Sequence, residues 1–171
     1  MSGKGTGVVY VSDTLKTTSI TTGAAATAGT ITGNWTLTTG SKFEATYADL
    51  AEYYEADVEY EVGTVVIFGG EKEITSSKEH RSTRVAGVVS ENPAYVMNAE
   101  CPGIATAIAL QGRVPVKVIG KVRKGDMLVA SAIPGYAMVD AEPKVGSVIG
   151  KAVGEKLDGD KGIVEVVVGR L

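Results

Sequence analysis

Seven acidic residues and no lysine or arginine fall within residues 44–61, and this is the stretch whose residue types could do chemistry. Asp49 and Glu52 are three residues apart, so on a helix their carboxyl groups would share a face. Carboxyl groups held close together raise one another's pKa, so one can keep a proton while the other acts as a base. Amide hydrolysis uses that division, because one group deprotonates water and another protonates the leaving nitrogen.

The same acids also fit a structural role. The sequence TYAD over residues 46–49 has the form of a capping box, with Thr46 as N-cap and Asp49 at the third helical position. Glu52 would favour the positive N-terminus of such a helix. The pattern predicts a short acidic helix over residues 46–56, and it leaves both acids open as either acid–base groups or helix-capping groups.

Other catalytic chemistries lack their residues in this sequence. His80 is the only histidine, and no nucleophile motif accompanies it, so a Ser–His–Asp triad is not indicated. Cys101 is the only cysteine, so an intrachain disulfide is impossible and a His/Cys metal site would lack ligands. The acids of residues 49–61 lack the spacing of known Ca²⁺ loops. We therefore expect no cofactor and no bound metal.

Charge and hydropathy also argue against two classes of partner. The net charge is −3, and no basic stripe is present, so nucleic acid is not an expected partner. The N-terminal residues lack the apolar core of a secretory signal. No apolar run approaches the roughly 20 residues that a membrane-spanning helix needs, so no membrane partner is expected.

Residues 1–45 are rich in Thr, Gly and Ala, and residues 16–44 carry few large or charged side chains. One such segment alone could bury too little apolar surface to fold. It is either a flexible linker or a fibre stem that folds only between copies of itself, as stacked repeats do. Large apolar side chains alternating with small polar ones favour the stem: Ile31, Trp35, Leu37 and Phe43.

Residues 57–171 show the pattern of an all-β domain. Short Val- and Ile-rich runs alternate with turn residues every 8–12 positions, which predicts a compact β-barrel or sandwich. The predicted breaks between strands are Gly69-Gly70, Asn92-Pro93, Gln111-Gly112, Lys124-Gly125-Asp126 and the LDGD sequence of residues 157–160.

Four stretches, in this order, resemble the C-terminal autoprocessing chaperone domains of bacteriophage tail fibres, tail spikes and neck appendages. They are ATYADLAEYYEAD (45–57), EVGTVVIFGGEKEI (61–74), RVAGVVSENPAYVMN (84–98) and QGRVPVKVIGKVRKGD (111–126). They are most like the tail-fibre C-termini of cyanobacterial and other marine phages. The likeness extends from about residue 25 to the C-terminus.

This resemblance implies an intertwined parallel homotrimer, in which the C-terminal domain brings three stems into register and helps them fold. Self-cleaving members of the family are similar to glutamic peptidases and cut before the Asp of the first stretch. Here that bond is Ala48–Asp49, with Glu52 as general base on water and Asp49 assisting or orienting the bond. Ala48 stands where relatives can have Ser, and Leu50 stands where they have an aromatic residue.

Three hypotheses about function follow from the sequence and the resemblance. The first is a structural virion protein, made in the host cytoplasm, whose partners are two copies of itself and the rest of the tail fibre. The second is a single-turnover self-cleaving chaperone. The third is a fibre tip that binds a glycan or protein of the host surface through exposed tyrosines, of which the candidates are Tyr53, Tyr54, Tyr60, Tyr95 and Tyr136. A monomeric β-barrel with a flexible tail is the remaining alternative.

Overall fold

The computed structural model describes residue Asn34 and residues 36–169, which divide into two units at Lys42 and Phe43. In the first unit, residues 36–42 are exposed and include a turn in which the Ser41 N–H donates to the Thr38 carbonyl at 3.0 Å. The fibre-stem prediction for residues 1–45 rests mostly on residues outside the described part, including Ile31 and Trp35. It therefore stays a prediction.

The second unit is built from ten strands. They are β1 (Asp49–Ala56), β2 (Val65–Phe68), β3 (Ile74–Ser76), β4 (Val85–Val89), β5 (Tyr95–Met97), β6 (Ile104–Ile119), β7 (Met127–Ala130), β8 (Ala137–Val139), β9 (Val148–Ala152) and β10 (Lys161–Val168). The described residues contain no helix. The predicted all-β class is confirmed.

All ten strands belong to one sheet, in which the long strand β6 closes two rings. One ring runs β6–β4–β2–β3–β1 and returns to the first half of β6; the other runs β6–β8–β7–β9–β10 and returns to its second half. β5 lies parallel to the start of β1, pairing Leu50–Glu52 with Tyr95–Met97. A closed ring leaves few free sheet edges, which stabilises short strands.

β-branched side chains fill the interior of the sheet because they fit a pleated, half-buried surface. Alternate residues of β6 and β10 point inward and are buried: Val114, Val116, Val118, Val164, Val166 and Val168. A second cluster comprises Ala56, Val66, Ile74, Val89 and Ile108. This period of two is the physical basis of the all-β prediction.

The predicted helix over residues 46–56 is wrong. Residues Asp49–Ala56 form strand β1, which pairs antiparallel with β6 along its whole length. Ala51 and Ala56 are buried in the sheet. A two-turn helix is unstable alone, so the hydrogen bonds and burial offered by the three strands that pair with β1 override the local capping pattern. The acidic stretch is therefore part of the β unit and does not form a separate junction.

The predicted break at Gln111-Gly112 is also wrong, because both residues lie within the continuous 16-residue strand β6. An irregularity lies here instead: Leu50 pairs with Gln111 and Ala51 with Ala109, so β6 has one extra residue. The predicted turns at Gly69-Gly70 and at residues 157–160 do separate strands. Gly112 therefore marks a bend in a strand that serves both rings.

An Arg–carboxylate clamp ties the loop before β4 to the loop after β8. The Arg81 guanidinium donates two hydrogen bonds to Asp140, one of them 2.7 Å long, and the Arg81 N–H donates to the Ala130 carbonyl at 3.0 Å. The Asp140 side chain is only 5% exposed. The hydrogen bonds from the Arg81 guanidinium lower the pKa of Asp140 below its ordinary value of 3.8, with His80 at 4.0 Å adding a smaller effect.

We expect Asp140→Asn to lower the melting temperature at neutral pH. Because the folded-state pKa is lowered, the stabilisation from Asp140 is complete above its ordinary value and is lost as pH falls through the folded-state pKa. The difference between variant and wild type should therefore shrink in acid, as measured by thermal unfolding across a pH series. Glu79→Gln is the control, since the Glu79–Arg84 pair is largely exposed at 3.7 Å and should contribute little. Equal melting temperatures of the wild type and Asp140→Asn at neutral pH would show that the Arg81–Asp140 pair does not stabilise the fold.

Candidate functional site

The Ala48–Asp49 peptide lines a cleft of about 550 Å³. Three segments and one side chain line it: residues 46–49 at the start of β1, residues 90–92 after β4, residues 113–115 of β6, and Glu165 of β10. The bond that the sequence resemblance singles out therefore lies in the wall of a concave site, which strands of both rings bring together.

Backbone hydrogen bonds hold the peptides on both sides of Asp49. The Arg113 N–H donates to the Ala48 carbonyl at 3.2 Å, and the Ala94 N–H donates to the Asp49 carbonyl at 2.8 Å. Asp49 is paired with Gly112 across the ladder. The Ala48–Asp49 peptide is thus held extended at the end of a sheet, which limits its rotation.

The Asp49 side chain is buried without full hydrogen bonding. The residue is 6% exposed, and its Oδ2 atom has no hydrogen-bond partner among the described residues. Leaving a buried polar atom unpaired costs roughly 1–3 kcal/mol, and more when the group is charged. Such an atom in a folded protein needs an explanation, and catalysis is one of the established ones.

Glu52 lies on the other face of β1, because residues three apart in a strand point to opposite sides. Its Oε2 accepts a hydrogen bond from the Tyr54 hydroxyl at 2.9 Å. Burial first, and then this hydrogen bond, raise the pKa of Tyr54 from 10.0 to about 12. The prediction that Asp49 and Glu52 share a face depended on a helix, and because the segment is a strand, that prediction is wrong.

Sequence inspection missed the charged residues that the fold brings to the cleft. Arg113 and Glu165 face each other, with Nη1 and Oε2 3.7 Å apart and both side chains about half exposed. Glu91 is exposed and Ser90 is 9% exposed. Ser90 and Glu91 lie in the GVVSENP sequence and Arg113 lies in the QGRVPV sequence, both within stretches that carry the resemblance, whereas no sequence signal marked Glu165.

The residues that line this cleft could support hydrolysis of the Ala48–Asp49 bond in its wall. Asp49 supplies a carboxyl group next to the leaving nitrogen, and the Arg113 N–H polarises the carbonyl that water would attack. No cluster of His, Cys, Asp and Glu groups within the described ranges suits a metal ion. Residues 36–169 also contain no helix long and apolar enough to cross a membrane.

Two of the five tyrosines proposed for host binding make side-chain contacts within the fold. Of the five, only Tyr95 is classed as exposed, at 62%, while the other four are partly buried. Tyr54 contacts Phe68 edge to face at 5.5 Å, and Tyr60 donates to Asp57 at 2.5 Å. These contacts favour structural roles for two of the candidates.

Comparison with known proteins gives a match at the level of fold. No family model matches the chain, and no curated protein matches it. The pre-mature gene product 12 of bacteriophage phi29 matches with a TM-score of 0.55 and 14% identity, over 77% of this chain and 23% of that one. The N base of the phi29 head fiber gp8.5 matches with a TM-score of 0.41 and 19% identity, over 69% of this chain and 92% of that one.

The chain therefore has a fold that occurs within a bacteriophage protein. It spans about a quarter of the length of gene product 12. At this identity the likeness concerns the fold, and roles for this chain have to be argued from its own residues.

Proposed function

We propose that the chain is a structural virion protein, the C-terminal end of a trimeric phage tail fibre that promotes trimerisation and folding of the stem. The observation that carries the proposal is the fold shared with a phage protein at a TM-score of 0.55. Its partners would be two further copies of the chain and the rest of the fibre.

Exposed apolar side chains before and beside β1 support association with further copies. Phe43 is 83% exposed and Tyr47 is 56% exposed, and residues 43–48 are all exposed. Leu50 and Tyr95 are paired across β1 and β5 and are 37% and 62% exposed. Large exposed apolar side chains such as these four are typical of surfaces that associate.

Native mass spectrometry of the purified chain tests this proposal, and we expect a particle of three chains. Phe43→Ser combined with Tyr47→Ser should weaken the trimer, because two apolar side chains would be lost from the association surface. Val145→Ser is the matched control, since Val145 is 98% exposed and lies on a different loop. A monomeric wild type across the concentration range would overturn the trimer.

We further propose that the same domain cuts its own Ala48–Asp49 bond once. The buried, unpaired Asp49 carboxyl oxygen in the cleft at that bond favours this second function. Water would add its oxygen to the Ala48 carbonyl carbon, the C–N bond would break, and the Asp49 nitrogen would take a proton. Glu52 stays proposed as the general base on the resemblance alone.

Denatured intact mass of the same sample tests self-cleavage. We expect two pieces, one ending at Ala48 and one starting at Asp49, whose masses sum to the chain plus one water. If a trimer contained only whole chains after prolonged incubation, self-cleavage would be refuted. The proposed role in the fibre would remain.

A further inference from the structure

We propose that the Gly112–Arg113 segment of β6 positions the Ala48 carbonyl for cleavage, an inference that rests on the self-cleavage proposed above. Gly112 makes the close approach of the two strands possible, and the Arg113 N–H holds the carbonyl oxygen. The segment acts through its backbone, so no side-chain motif would identify it.

Gly112 packs directly against the Ala48–Asp49 peptide bond. A Cβ atom at this position would lie 2.7 Å from the Asp49 Cα, 3.1 Å from the Ala48 carbonyl carbon and closer still to the Ala48 oxygen. Real Cβ atoms essentially never come within 3.0 Å of another heavy atom in this way. Gly112 also has φ of +111°, which L side chains rarely adopt. Any other residue would push the Ala48–Asp49 peptide away from β6.

The close approach places a fixed donor at the carbonyl that water would attack. The Arg113 N–H lies 3.2 Å from the Ala48 oxygen, and negative charge develops on that oxygen as the tetrahedral intermediate forms. A donor already in place stabilises this charge without reorganising during the reaction. The ladder pair Asp49–Gly112 fixes the same strand from the other side of the bond.

Gly120 provides a matched control on the same chain. It follows β6 directly, with φ of +84°, and a Cβ atom there would meet nothing within 4 Å. Alanine at either position carries the backbone strain of a positive φ, but only alanine at 112 displaces the Ala48 carbonyl.

The experiment compares cleavage in the full-length wild type, Gly112→Ala and Gly120→Ala at a temperature well below each melting transition. We expect Gly112→Ala to slow cleavage on the order of 100-fold, because removing one hydrogen-bond donor to the carbonyl oxygen has an effect of this size in peptidases. Gly120→Ala should cut at the wild-type rate. A wild type that stays whole overturns self-cleavage and this inference with it. A cut wild type with equal rates in both glycine variants overturns this inference alone.

A second measurement begins with a chain that carries no glycine substitution. In the full-length Asp49→Asn chain, hydrogen exchange by NMR should show the Arg113 amide protected to the same degree as the Lys117 amide, which donates to the Gly63 carbonyl at 2.9 Å. Where Gly112→Ala is introduced into this chain, only the Arg113 amide should lose protection. Fast exchange at Arg113 without the glycine change would show that the carbonyl is not held, and would overturn the inference.

Discussion

The Asp49→Asn chain is expected to stay whole under conditions in which the wild type is cut between Ala48 and Asp49. Asn has nearly the same shape as Asp but cannot accept or deliver a proton as a carboxyl group does. Because Asp49 is 6% exposed and its carboxyl group belongs to the residue that carries the leaving nitrogen, loss of that carboxyl group should abolish cleavage without unfolding the strand. Denatured intact mass over time measures the cut fraction, and native mass confirms that the oligomer is unchanged.

Glu52→Gln tests the general base that the resemblance implies, because it neutralises a carboxyl group on the same strand but on the opposite face from Asp49. Cleavage that continues in this variant would refute Glu52 as the general base and would limit the catalytic groups to those of the cleft. Cleavage that stops would mean that Glu52 reaches the bond from another copy or after a rearrangement of β1. Unchanged cleavage in Asp49→Asn, whatever Glu52→Gln does, would refute a catalytic Asp49.

Gly150→Ala is expected to destabilise the fold by on the order of 3 kcal/mol, because the added methyl group would overlap backbone that cannot move independently. Gly150 lies in β9 between β10 and β7. Its Cβ atom would lie 2.9 Å from the Val167 carbonyl carbon and 2.9 Å from the Val168 Cα, and closer to the Val167 oxygen. The melting temperature should fall by roughly 10 °C in thermal unfolding.

The control for this prediction is Gly159→Ala, in the loop between β9 and β10. A Cβ atom at Gly159 would meet nothing within 4 Å. Alanine there should be neutral or slightly stabilising, because it reduces the freedom of the unfolded chain. Equal melting temperatures for the two variants would mean that β9 and β10 pack less closely than the structure shows.

The candidate site was only partly predictable. The dense acids of residues 44–61 indicated where to look, and the resemblance indicated which bond. The helix prediction failed because capping patterns and i to i+3 spacing are local, whereas the eight pairs between β1 and β6 join residues about 50 to 60 positions apart. The shared face of Asp49 and Glu52 failed for the same reason.

Gly112 shows how one residue supports two interpretations. In the sequence, Gln111-Gly112 has the composition of a turn, because glycine commonly supplies positive φ in turns. In the fold, the same positive φ belongs to a bend within β6, and the missing Cβ makes room for the Ala48–Asp49 peptide. Only the presence of a neighbouring backbone distinguishes the two uses of glycine.

By itself, the sequence determined the all-β class, the turns at Gly69-Gly70 and at residues 157–160, and the acidic stretch that contains the candidate bond. These follow from period-two alternation and turn residues, which are properties of near neighbours along the chain. The tertiary structure decided which strands pair, that Asp49 is buried and Glu52 is not beside it, and that Arg113 and Glu165 reach the same cleft. Those features depend on packing between residues far apart in the chain, which no local pattern encodes.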